Sequence, residues 1–110
     1  MKEDLLKIIN HYGVNAQQRK LAEEAFELQE AIHDCEYEKT LKDLDLLDTK
    51  YANDSNINEA KIDHIAEEIA DIAVLLNQFI DYYDLDGEKI QEIADYKIKR
   101  QLERIKNEVK

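Results

Sequence analysis

The order of apolar and polar positions along the chain reads as a run of helices. Leu5, Ile8, Ile9 and Tyr12 have helical spacing across residues 3–12, and Gly13 stands where a helix C-cap fits. Asn15 can cap a second helix whose apolar positions are Leu21, Ala25, Leu28, Ile32 and Cys35, a 4-3-4-3 seam. From about Glu38 to Tyr51 the apolar residues are Leu41, Leu44, Leu47 and Tyr51. At about 100° per residue this stripe is rotated by more than a quarter turn from the one before it. One straight helix could not bury both stripes in one core, which predicts a break or kink near residues 36–40 and a short extra helix beyond it. Asn53-Asp54-Ser55-Asn56 marks a loop.

The strongest period lies between Asn58 and Tyr83. There Ile62, Ile65, Ile69, Ile72, Leu76, Phe79 and Tyr83 alternate at spacings of three and four. Asp84-Leu85-Asp86-Gly87 turns the chain, and a fourth helix runs to near Val109 with Ile90, Ile93, Ala94, Tyr96 or Lys97, Leu102 and Ile105 as a less regular stripe. The expected fold is all-α: a four-helix bundle with an extra short helix between the second and third main helices. So little polypeptide remains to cover the very apolar third helix that a homodimer or homotetramer is expected.

Composition narrows this picture without redirecting it. The 110 residues suit a single domain spanning 1–110, and two glycines with no proline disfavour a turn-rich sheet protein. Fifteen basic residues against 26 acidic ones leave a formal net charge of −11. Such a chain is a poor ligand for nucleic acid or an anionic membrane, since phosphate binding needs clustered Lys and Arg. Cys35 is the single cysteine and cannot form an intrachain disulfide. The N-terminal residues lack the apolar core of a signal peptide, and no stretch approaches the roughly 20 apolar residues of a membrane span. A cytoplasmic location is the expectation.

The acidic residues are not scattered. Leu21-Ala22-Glu23-Glu24-Ala25-Phe26-Glu27-Leu28 and Ile65-Ala66-Glu67-Glu68-Ile69-Ala70-Asp71-Ile72 form a short internal repeat offset by 44 positions. With Leu21 at 0° on a helical wheel, Glu24 lies near −60° and Glu27 near −120°, while Glu23 points almost directly away (about 100° per residue). With Ile65 at 0°, Glu68 and Asp71 occupy the same two angles. Each helix thus carries a carboxylate at the edge of its apolar stripe and another one turn further along. If the two helices pack antiparallel, four carboxylates converge. Such groups repel unless protonated or bridged by cations. An all-oxygen anionic cluster is hard-ligand chemistry suited to Mg²⁺, with Mn²⁺ as a substitute, and Mg²⁺ commonly shares its shell with substrate phosphates. The alternative is a helical interaction or scaffold protein in which these carboxylates only solubilise the bundle.

The motifs Gln17/Gln18-x-x-Lys20-Leu21-x-Glu23-Glu24-x-x-Glu27-Leu28 and Glu67-Glu68-x-x-Asp71 resemble those of the MazG-like, all-α nucleoside triphosphate pyrophosphohydrolases. The likeness extends over about residues 10–105 and includes Lys97-x-x-Arg100-Gln101-x-x-Arg104, similar to a basic stretch of that family. It implies Mg²⁺-dependent hydrolysis of a nucleoside or deoxynucleoside triphosphate to the monophosphate and pyrophosphate, a nucleotide-pool housecleaning activity. The matching residues would make Glu24, Glu27, Glu68 and Asp71 the metal-holding catalytic set, Glu23 a supporting residue, and Lys97, Arg100 and Arg104 the hold on phosphate. Within the enzyme class the alternatives are a phosphoribosyl-ATP pyrophosphohydrolase and a dUTP- or dCTP-specific pyrophosphatase. The first has a Tyr-His pair soon after its second acidic motif, where this chain has Ile72-Ala73-Val74-Leu75. Forty residues separate Glu27 from Glu68, more than that family usually has, and the excess coincides with the out-of-phase segment 38–56.

The charge has a layout as well. Glu23 to Glu59 carries twelve acidic and three basic residues, whereas Tyr96 to Lys110 carries six basic and two acidic.

Overall fold

A computed structural model of the chain describes residues 1–43 and 55–108. These residues form four helices: α1 (Lys2–Tyr12), α2 (Val14–Asp43), α3 (Ser55–Tyr82) and α4 (Gly87–Glu108). No strand occurs among the described residues, as the all-α expectation requires.

Local chemistry sets the helix ends. Glu3 and Asp4 in the first turn of α1 complement the positive end of its dipole. Gly13 closes α1 at φ 91°, a conformation that side-chain-bearing residues rarely adopt, and donates its N–H to Ile9 O at 2.8 Å. One residue later the chain is helical again, with Gln17 N–H bonded to Gly13 O at 3.1 Å. Asp84 takes the left-handed conformation at φ 52° after α3, and Leu85 N–H reaches back to Ile80 O at 2.8 Å. Asp86 then caps α4, its Oδ1 accepting the Glu88 N–H at 3.0 Å. The corner between α3 and α4 is therefore hydrogen-bonded on both sides.

Two expectations change here. The helix does not break at residues 36–40: α2 continues for 30 residues to Asp43. Glu36-Tyr37-Glu38-Lys39-Thr40 holds neither glycine nor proline. Glu38 also extends the buried seam, paired with Lys61 of α3 at 3.6 Å. The remainder of the expected extra helix, and the loop to Asp54, fall outside the described residues.

The second change concerns the bundle. Helices α1, α2 and α3 pack together, but α4 contains no buried residue. Only its Ala94 is partly covered. The radius of gyration, 18.9 Å, exceeds the roughly 13 Å of a compact chain of this length. Among the described residues, three helices pack together and the fourth stands apart from them.

The packed seam lies to one side of the apolar stripes. Helices α2 and α3 run antiparallel, and the buried α2 positions Gln17, Glu24, Ala31 and Glu38 recur every seven residues. Facing them are Lys61, Glu68, Leu75 and Gln78 of α3. Ile9 of α1 and Cys35 complete the buried apolar set. Of the expected third-helix stripe, Ile65, Ile72 and Phe79 are half-buried, whereas Ile62, Ile69, Leu76 and Tyr83 are exposed. Among the described helices none is long and apolar enough to cross a membrane.

Candidate metal centre

The α2–α3 seam has three polar layers. At one end Gln17 Nε2 donates to Gln78 Oε1 at 2.9 Å, and both amides are at least 95% buried, Gln17 5% and Gln78 2% exposed. At the other end sits the Glu38–Lys61 pair. Between them Glu24, Glu68 and Asp71 converge, with one carboxylate oxygen from each lying within 4.8 Å of the others. The outer layers hold the antiparallel register. Gln17 stands seven residues before Glu24, and Gln78 seven residues after Asp71, so the amide pair keeps those carboxylates level with one another.

The electrostatics of the centre are unfavourable without a cation. Glu24 and Glu68 are 8% and 7% exposed, and the Oε2 atom of each is buried with no hydrogen-bond partner. Their other oxygens have only distant company. Lys20 Nζ lies 3.7 Å from Glu24 Oε1, and His64 Nε2 lies 3.8 Å from Glu68 Oε1. Burial pushes the Glu68 carboxyl above its ordinary value, helped by the Glu24 carboxyl, which accepts a hydrogen bond only from a protonated Glu68. The negative charges of Glu27 and Glu24 push the same way, and His64 opposes them. An orphaned oxygen on each of two buried carboxylates, beside a third carboxylate, is a donor set that a hard divalent cation fits.

The four expected ligands therefore separate into three and one. Glu24, Glu68 and Asp71 come together; Glu27 is exposed and stays outside the close group, although its charge is felt at Glu68. Lys97, Arg100 and Arg104 stand exposed on α4, where Arg100 lies over the Tyr96 ring at 6.0 Å.

A groove of about 590 Å³ opens beside the centre, bounded by α1, the first turns of α2 and the second half of α3. Glu24 and Asp71 form part of its wall together with Glu23, which is exposed. Arg19 and Lys20 supply positive charge, while Ile8, Tyr12 and Val74 offer apolar surface. The Gln17–Gln78 pair lines it as well, and none of the three α4 cations does. Arg19 was not singled out by sequence pattern, and Lys20 entered only as part of a motif. Their position one turn ahead of Glu23 and Glu24 was the available signal.

The chain matches no protein-family model, no curated protein and no solved structure in the comparisons made.

Proposed function

We propose that this chain is a divalent-cation-dependent nucleoside triphosphate pyrophosphohydrolase, splitting its substrate into a nucleoside monophosphate and pyrophosphate. The observation that carries the reading is the pair of orphaned buried oxygens on Glu24 and Glu68, set against Asp71 at the wall of a groove that also bears Arg19 and Lys20. Such a centre binds a cation, and a groove with cations of its own beside that centre suits a polyphosphate.

Glu24, Glu68 and Asp71 would hold Mg²⁺, or Mn²⁺ in its place. When bound, the ion acidifies water for attack and offsets phosphate charge. Hydrolysis at the α-phosphorus adds water there and breaks the bond to the oxygen bridging the α- and β-phosphates, which leaves with pyrophosphate. Arg19 and Lys20 hold phosphate oxygens, a role the family resemblance assigned to Lys97, Arg100 and Arg104. Tyr12, 62% exposed at the groove mouth, offers a ring face to a nucleobase. Glu27 contributes long-range negative charge that favours cation binding.

The test is pyrophosphate release from the eight common ribo- and deoxyribonucleoside triphosphates, with Mg²⁺ and with EDTA. Release that needs Mg²⁺ and disappears in Glu24→Gln supports the reading. No release from any of them, with no Mg²⁺-dependent rise in Tm, overturns it.

A further inference from the structure

The two halves of the acidic repeat differ in the residue that stands one turn before the buried glutamate. The motifs lie 44 positions apart, which makes Lys20 and His64 equivalent, each four residues ahead of Glu24 or Glu68 on its own helix. Both approach that glutamate. Lys20 Nζ stands 3.7 Å from Glu24 Oε1, and His64 Nε2 stands 3.8 Å from Glu68 Oε1. Lys20 is a cation with donors only, whereas a neutral imidazole carries a lone pair. One half of the centre therefore has a nitrogen able to coordinate, and the other does not.

The surroundings of His64 suit a ligand better than a surface ion pair. Its 3.8 Å gap to Glu68 exceeds the roughly 2.7–3.2 Å of a hydrogen bond and falls short of the roughly 4.6 Å that a bridging water spans. Two donors held by one first-row cation, each at about 2.1 Å, lie about 3.0 Å apart at a right angle and about 3.4 Å apart at the tetrahedral angle. A small inward movement closes the pair onto an ion. The carboxylate it faces is also no ordinary surface partner: Glu68 is 7% exposed, and its Oε2 is buried with no hydrogen-bond partner. On the far side of the ring, His64 Nδ1 faces Glu67 Oε2 at 4.0 Å. A ligating histidine commonly turns its second N–H toward a carboxylate, which fixes the tautomer and the ring plane.

His64 reaches the centre from outside the groove. The groove wall includes Lys20, Glu24 and Asp71 but, among the described residues, neither Glu68 nor His64. An imidazole placed behind the carboxylates is positioned to hold the ion rather than a phosphate lying in the groove.

We infer that His64 is a ligand of the acidic centre, chelating a cation together with Glu68, and rests on the proposed function only in that this centre binds a cation. A nitrogen donor beside carboxylates shifts the preference of the centre from Mg²⁺ toward first-row transition cations, Mn²⁺ and more strongly Co²⁺.

Isothermal titration of the full chain with Co²⁺ and, separately, with Mg²⁺ at about pH 8, where an ordinary imidazole is neutral, tests the assignment. His64→Phe keeps a flat ring at a side chain 56% exposed and removes the lone pair. It raises the Kd for Co²⁺ about tenfold or more and that for Mg²⁺ by no more than about twofold. His33→Phe, at a histidine 3.9 Å from the exposed Asp34, leaves both constants unchanged. Should His64→Phe lose its helical circular dichroism, the wild type still decides: bound paramagnetic Co²⁺ displaces the ring-proton signals of His64 far outside their ordinary range and leaves those of His11 and His33 in place. Co²⁺ binding that His64→Phe leaves intact, an equal loss for both metals, or unshifted His64 signals overturns the inference alone. No binding of either metal overturns it together with the proposed function, whereas selective loss of Co²⁺ in a chain that releases no pyrophosphate sustains the ligand and refutes the hydrolase.

Discussion

Removing the amide layer that holds α2 against α3 measures how the centre is kept in register. Gln17→Leu keeps the side-chain bulk but deletes the donor to Gln78 Oε1, and the 2% exposure of Gln78 leaves that oxygen without water to replace it. A buried polar group stripped of its partner costs about 1–3 kcal/mol. For a chain of this size the unfolding entropy is roughly 0.2 kcal/mol per degree, so Tm falls by about 5–15 °C. The double variant Gln17→Leu, Gln78→Leu removes both polar groups and leaves two apolar side chains in contact, which recovers most of the loss. Thermal denaturation of the wild type, both single variants and the double variant at one protein concentration completes the cycle. If the two single losses simply add in the double variant, the amides do not act as a pair and the register argument fails.

Three further outcomes concern the acidic centre and its groove. Because the folded-state Glu68 carboxyl is raised, the folded chain holds its proton more tightly than the unfolded chain does; stability from this group is full below pH 4.5 and is lost as pH rises through the raised value. In metal-free protein the Tm difference between wild type and Glu68→Gln therefore grows from pH 4 to pH 7, in favour of the variant, and a difference that stays flat refutes the assignment. Added Mg²⁺ at about a hundredfold over its dissociation constant stabilises the wild type by about 2.7 kcal/mol, read as a rise in Tm, and leaves Asp71→Asn nearly unmoved while its far-ultraviolet circular dichroism stays helical. Arg19→Ala raises KM for the triphosphate about tenfold or more, whereas Arg100→Ala leaves it unchanged; steady-state kinetics showing the reverse would return the phosphate-holding role to α4.

Much of this protein is legible in local pattern. Gly13, the Asp84–Gly87 turn and the apolar periods on either side place the end of α1 and the corner between α3 and α4 within a few residues, because caps and periodicity act over one or two turns, whereas the break expected at residues 36–40 is absent from α2. Glu24, Glu68 and Asp71 are legible for a similar reason: the angle of each carboxylate beside its own apolar stripe is a property of one helix. Glu27 is the residue that departs. Its wheel angle, about 60° further from the stripe than that of Glu24, leaves it exposed on α2. Asp71 has the same nominal angle on α3 yet joins the close group, so equal angles on two helices do not guarantee equal placement.

The continuous α2 helix makes the complementary point. The change of phase after Cys35 resembles a break only if a helix must bury its apolar stripe. In this fold the seam buries Glu38 instead, with Lys61 Nζ 3.6 Å from its Oε2, an ion pair without a hydrogen bond. The same holds for Gln17 and Gln78, polar residues that a single helix would be expected to present to water and that become buried once each supplies the other's hydrogen bond.

Alone, the order of residues determined an all-helical chain, the turns at Gly13 and at Asp84–Gly87 and two acidic pairs beside apolar stripes. Tertiary structure decided which edge of each broad stripe turned inward, which three carboxylates met, and that Arg19 and Lys20 rather than the cations of α4 lined the groove. The division follows from range. Helix formation and angular position are settled within a turn or two, whereas a buried polar group depends on a partner on another helix, 61 residues away for Gln17 and Gln78.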